Sequence, residues 1–316
     1  MGSSRKNVLK PDNVEYLLES TNIKELKLAK EITDKRLKFT WVHYSELAIQ
    51  RHLIMTDLKQ AIAKNCIAFS FDKWQRAVKY QYALHPLCTI GSWQFIGGRF
   101  NYGNSINDEL AAFPALYIAN DKDTALQEHL GQTPAPKGSK LTPREIALTA
   151  TESETIVSVS GKVEQVFDLT DKNNLEGFVE LIKSFKTSPH LAKMAREAQM
   201  GKVPLLIKSV DKLLDSLLDK NWRRSPSNFD IPSNSQIFGH IAYIAGIEGI
   251  LYPSKFTGKS CLAIFPNNFS NSNSYIKLDG KLPPYEHIVR VIDKDNYHLC
   301  EFNEMELLAF PSIAKN

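Results

Sequence analysis

The stretch from Gly97 to Glu128, GGRFNYGNSINDELAAFPALYIANDKDTALQE, sets an arginine, a tyrosine and a glutamate within a short span. Arg99 brings a planar fork of donors that suits a pyrophosphate in a way lysine cannot copy. Tyr117 brings a flat ring for stacking and a hydroxyl for a ribose or an amide. Glu128 brings the carboxylate that an oxocarbenium-like sugar requires beside it when a glycosidic bond breaks. Together the three could hold a dinucleotide and stabilise a positively charged sugar. A fourth candidate, Ser254 in GIEGILYPSKF, could position a ribose or amide, or cap the turn in which it lies. No GxSxG elbow surrounds it and no base adjoins it, so it is not cast as a covalent nucleophile.

Each of these residues also has a plainer use. A lone arginine usually ends in an ion pair, a tyrosine in PALYIA can be a half-buried strand aromatic, and a helix glutamate is usually solvated. The elements around them decide. TALQE reads as a helix start capped by Asp121, Asp123 or Thr124, which places Glu128 about one turn inside. Gly97-Gly98 would let backbone approach a ligand closely, although paired glycines more often make a turn. His240, in the apolar segment IFGHIAYIAGIEG, reads as a core histidine on a buried helix.

The wider chain changes character near residue 85. Upstream, NVEYLLESTNIKELKLAKEITDKRL, SELAIQRHLIMTDLKQAIAKN and FDKWQRAVKYQYAL carry apolar residues at helical spacing, with Asp72 as a helix cap. His85-Pro86 breaks that pattern. Downstream, SWQFIGG, PALYIA, TIVSVSG, QVFDLT, GILYPS and CLAIFPN read as short strands. Helices around LEGFVELIKSF and VDKLLDSLLDKNW separate them, and NNFSNSNSYIKLDGKLPP reads as a long surface loop. The reading is an α+β protein: a helical region over residues 1–85, then a mixed α/β domain over 86–316 with a C-terminal extension. The helical region should bury its apolar face on its own downstream domain, because the connection YALHPLCTI is too short and apolar for a free linker.

Composition narrows the class. The 316 residues, 43% hydrophobic and 23% charged, are those of a globular chain with one or two domains. A net charge of +4, spread along the chain, argues against direct nucleic-acid binding. Cys66, Cys88, Cys261 and Cys300 lack metal-ligand spacing, so no metal is expected; they read as reduced, mostly buried thiols of a cytoplasmic protein. No secretory signal and no membrane span is expected. PSKFTGKS nearly spells a phosphate-binding loop, but Pro253 replaces its first glycine and CLAIFPN continues as a strand where that motif opens a helix.

In this setting residues 91–266 resemble the RES domain, named for its arginine, glutamate and serine. The resemblance runs in order through GGRFN with Gly103, ALYIANDKDTALQE, VFDLTD, NW ahead of a buried helix, GIEGILYPSKF and CLAIF. It implies a fold similar to that of ADP-ribosyltransferase toxins, NAD as substrate with no separate cofactor, and a bacterial toxin paired with an Xre-family antitoxin. It also implies that Arg99, Tyr117 and Glu128 are catalytic and that Arg99, Tyr117 and Ser254 bind substrate. The implied reaction is cleavage of the nicotinamide–ribose bond by a glycohydrolase or phosphorylase. The alternatives are ADP-ribosyl transfer to a protein acceptor, or a module that binds nucleotide or protein without turnover. Two features depart from the pattern: SINDELAAF lengthens the loop between Arg99 and Tyr117, and the region before residue 85 lies outside the resemblance.

Overall fold

The computed structural model describes residues 23–106, 110–131, 154–200, 206–280 and 288–300. The chain begins with α1 (Ile23–Leu53) and α2 (Met55–Ala63), and then enters the sheet as β1 (Cys66–Lys79). A short α3 (Ile90–Trp93) leads into the hairpin β2 (Gly97–Gly98) and β3 (Asn101–Tyr102), followed by β4 (Leu116–Ala119), α4 (Lys122–Leu130) and β5 (Glu154–Asp168). Five helices come next: α5 (Glu176–Ile182), α6 (Pro189–Glu197), α7 (Val210–Leu217), α8 (Arg224–Phe229) and α9 (Asn234–Ile244). Strands β6 (Gly249–Pro253), β7 (Ser260–Ile264), β8 (Tyr275–Leu278) and β9 (Val291–Ile292) complete the described chain. No helix among the described residues is long and apolar enough to cross a membrane.

The described residues fall into two compact units, with a boundary at Leu47 inside α1. The smaller one joins the chain before Ala48 to residues from Lys186 onward, around α6. In it Phe39 packs on Leu191, Met194 and Ala195. Pro189 opens α6, Ser188 caps it, and the Ser188 hydroxyl donates to Glu46 Oε1 at 2.6 Å. The larger unit contains the sheet and every sequence-predicted site residue.

That sheet is mixed. Its strand order is β1-β4-β7-β6-β5-β8-β9, with β5 and β6 parallel and the other neighbouring pairs antiparallel. A further antiparallel pairing of β1 with β5 closes the first five of these strands into a ring. Strand alternation divides the side chains between two cores. Leu116, Ile118, Leu251, Leu262 and Ile264 enter one cluster. Tyr117, Ala119, Ile250, Tyr252, Cys261 and Ala263 face the other, which the helices cover. The register Tyr117↔Ala263 and Tyr252↔Cys261 therefore brings both tyrosines to the helix-covered face. Cys66 is half-buried and the other three cysteines are buried, all as free thiols.

Three expectations are corrected. The helix over FDKWQRAVKYQYAL is instead most of β1 and a short 3-10 turn, so the first strand lies upstream of the boundary placed at residue 85. The pairing of β1 with β5 shifts register between Ile67 and Phe69 and again between Phe71 and Trp74, and the second shift breaks the period of two in β1. The first adds a residue to β5 and the second adds one to β1, and the resulting spacing of Phe71, Trp74 and Val78 imitates a helix. Asp72 caps no helix; it accepts from the Ser160 hydroxyl at 3.0 Å. Second, TIVSVSG and QVFDLT are one continuous strand, β5, which contacts β1, β6 and β8 along its length. Third, the expected surface loop contains all but the first residue of a 3-10 turn (Pro266–Asn271) and the whole of β8, whose Ile276 and Leu278 are buried. Of the region placed before residue 85, α2 puts Leu58 and Ile62 into the helix-covered core of the larger unit. The C-terminal extension from residue 301 lies outside the described residues, as does the centre of SINDELAAF.

Candidate active site

Glu128 is positioned by α4. Asp121 caps this helix, its carboxylate accepting from the backbone N–H groups of Asp123 and Thr124 at 3.1 Å. Gly131 ends it in the left-handed conformation, φ 66°. Glu128 thus lies in the last turn, about two turns from the cap and not one. Its side chain is 14% exposed, and both oxygens are engaged. The Ser254 hydroxyl donates to Oε1 at 2.6 Å, and a terminal nitrogen of Arg99 stands 3.6 Å from Oε2.

Ser254 occupies the turn between β6 and β7. Its hydroxyl oxygen accepts from Phe256 N at 3.1 Å and Thr257 N at 3.3 Å, so it caps this turn while its proton goes to Glu128. The near-miss phosphate loop is therefore a strand–turn–strand connection. Thr257 ties it to α4 through a hydroxyl contact with Thr124 at 2.9 Å, and Lys259 lies 3.4 Å from Asp121.

Arg99 lies in the turn of the β2–β3 hairpin and is 4% exposed. One terminal nitrogen donates to the Asp219 carbonyl at 2.8 Å, and among the described residues its buried Nε has no partner. Buried N–H groups are nearly always satisfied, so an orphan on a guanidinium beside a cavity marks a place for an acceptor.

Tyr117 connects strand β4 to the hairpin. Its hydroxyl accepts from Phe100 N at 2.9 Å and donates to Asn101 Oδ1 at 2.8 Å. Burial raises its pKa well above the ordinary tyrosine range, partly offset by the Phe100 N–H and by the charge of Arg99. The hydroxyl proton is thus committed to the hairpin, which leaves the ring as the part that meets the cavity. Gly98 makes this possible: a Cβ there would lie 2.5 Å from Tyr117 Cε2 and 2.6 Å from Cζ, with the hydroxyl closer still. Gly97 supplies the turn, with φ 80°. The glycine pair therefore serves a turn and a tyrosine.

Arg99, Tyr117 and Glu128 line one cavity of about 290 Å³, at the lower end of the range for small-molecule sites. Ser254 joins them through Glu128. Several further residues of the site were not singled out from the sequence. Arg223, after the NW pair, lines the cavity and lies over the Trp222 ring at 4.6 Å. Its pKa is lowered by burial and by the neighbouring charge of Arg99. Arg76 also lines the cavity, held by the carbonyls of Pro86 and Cys88 at 2.7 Å and of Tyr117 at 3.2 Å. Burial pushes its pKa down to about 10. Three guanidinium groups around one carboxylate favour an anionic ligand.

Behind the hairpin, fully buried Gln236 on α9 donates to the carbonyls of Ile96, Gly98 and Asn101 at 2.7, 3.0 and 3.1 Å. Ser233 and Gln236 form a capping box at the start of this helix. At Gly239 the helix presses on Phe100, whose carbonyl carbon would lie 2.6 Å from an added Cβ. His240 is half-buried, its ring tilted against Tyr102 at 5.0 Å, and burial pushes its pKa down to about 4, so it is neutral at pH 7.

No family model matches the chain, and no curated protein matches it. Among solved structures, a chain of the M. tuberculosis MbcT–MbcA toxin–antitoxin complex is similar, with 19% identity, 80% of this chain and 97% of that chain covered, and a TM-score of 0.38. A likeness of that strength leaves fold family and activity to the geometry of the site and the order of its motifs.

Proposed function

We propose that this chain cleaves the nicotinamide–ribose bond of NAD. The observation that carries the reading is the constellation around Glu128: a carboxylate fixed by the Ser254 hydroxyl and Arg99, in a cavity shared with the Tyr117 ring and two further guanidinium groups. As the glycosidic bond lengthens, positive charge develops on the ribose, and a preorganised carboxylate stabilises that charge more than it does the ground state. Arg99, with its unpartnered Nε, and Arg223 supply donors for the pyrophosphate. The Tyr117 ring supplies the surface against which nicotinamide stacks.

The order of the RES-like motifs supports a toxin whose sheet is related to the ADP-ribosyltransferase toxins. It acts in the cytoplasm by depleting NAD, and an Xre-family antitoxin restrains it. The experiment is incubation of the purified full-length protein with NAD, with and without inorganic phosphate, and identification of the products. Free nicotinamide with ADP-ribose or its 1″-phosphate supports the reading, and unchanged NAD refutes it.

A further inference from the structure

A second pair of titratable groups reaches the same cavity. His129 follows Glu128 on α4 and lines the cavity with it. Its Nε2 lies 2.9 Å from Oε1 of Glu154, whose side chain is 8% exposed, whereas the imidazole is 33% exposed. Glu154 begins β5 opposite Lys79 of β1, and Lys79 lines the cavity as well. Among the described residues, the other Glu154 oxygen is buried without a partner. A carboxylate on one ring nitrogen fixes the tautomer and leaves the lone pair on the other nitrogen. Glu128 cannot fill the same role, because Ser254 engages one of its oxygens and Arg99 faces the other.

We infer that His129, oriented by Glu154, is the general base that activates a water for attack on the ribose; this rests on the NAD-cleaving reading. The C1′–N bond breaks and both its electrons leave with nicotinamide, which departs neutral. The water oxygen bonds to C1′, and its proton passes to Nδ1 of His129. The imidazolium so formed faces the Glu154 carboxylate until solvent takes the proton. Glu128 stabilises the cationic sugar, and the His129–Glu154 pair handles the nucleophile, so the two charges have separate tasks.

The test measures nicotinamide release from NAD in phosphate-free buffer by wild type, His129→Ala and Glu154→Gln, with and without sodium azide. General bases contribute roughly 10²–10⁴-fold, so His129→Ala should lower kcat at least about 100-fold with KM within about threefold. Glu154→Gln, which keeps the side-chain volume, should lose about tenfold as orientation weakens. Azide attacks without losing a proton, so it should restore at least about tenfold of the His129→Ala rate and yield the glycosyl azide. Two results overturn the inference: near-normal turnover of His129→Ala, or a loss that azide leaves untouched, which marks a structural ion pair. If wild type releases nicotinamide only when phosphate is added, NAD cleavage stands and water activation falls. If wild type releases none under either condition, both fall.

Discussion

Replacing Gly98 with alanine tests whether the glycine pair serves the tyrosine and not the ligand. The new methyl group would lie 2.5–2.6 Å from Tyr117 Cε2 and Cζ, whereas ordinary contact begins near 3.4 Å, so the ring must retreat by about 0.8 Å. That retreat strains the two bonds of the hydroxyl, from Phe100 N at 2.9 Å and to Asn101 at 2.8 Å. Overpacking costs about 1–3 kcal/mol, and each weakened buried hydrogen bond adds about 1 kcal/mol, so the loss should be about 3–5 kcal/mol. Chemical denaturation of Gly98→Ala measures it. Misplacement by about 1 Å costs on the order of 100-fold in turnover, which nicotinamide release would report. Shortening the clashing partner should relieve the strain, so Gly98→Ala combined with Tyr117→Ala should cost less than the sum of the two single changes. A Gly98→Ala protein within about 0.5 kcal/mol of wild type, or strict additivity in the double variant, would refute the packing argument.

Three other outcomes follow from the site. Arg99→Ala should raise KM for NAD by about tenfold or more, and an unchanged KM in a folded variant would remove Arg99 from phosphate binding. Because Arg99 also stands beside buried Glu128, the same variant should lose about 3 kcal/mol or more of stability. Ser254→Ala removes a donor to a carboxylate, a bond of about 1.5–3 kcal/mol, so kcat should fall roughly 10–100-fold; normal kcat would reduce Ser254 to a turn cap. Expression of wild type in a bacterial host should arrest growth and lower intracellular NAD, while Glu128→Gln does neither. Equal growth and equal NAD in the two cultures would sink the toxin reading.

Much of the frame was legible because local signals agreed with tertiary ones. Alternation in PALYIA and CLAIF placed strands that the register then pairs, and Asp121 capped its helix as side-chain chemistry requires. Where a register shift or a distant partner decided the outcome, the sequence misled. One extra residue in β1, between Phe71 and Trp74, turned a period of two into an apparent helix. The Ser254–Glu128 bond joins residues far apart in the chain, and its geometry exists only once β6, β7 and α4 have packed. The use of Gly98 depends on a tyrosine from another strand, and Gln236 acts through backbone carbonyls that no side-chain pattern encodes. Arg223 lay beside the NW pair, but only the fold shows that it shares a cavity with Arg99.

The central claim is that Glu128 stabilises a cationic ribose during NAD cleavage, and one comparison tests it most directly. Purified full-length wild type and Glu128→Gln, matched by thermal melting, are each incubated with NAD while nicotinamide release is followed over time. Glutamine keeps the shape, and its one carbonyl oxygen can still accept from Ser254 while its amide nitrogen takes the place of the oxygen that faces Arg99, so the charge is lost with little change in volume. The account predicts steady release by wild type and a fall of at least about 1,000-fold in the variant, in the range seen when a preorganised electrostatic contact to the transition state is removed. Release by Glu128→Gln within tenfold of wild type would contradict it.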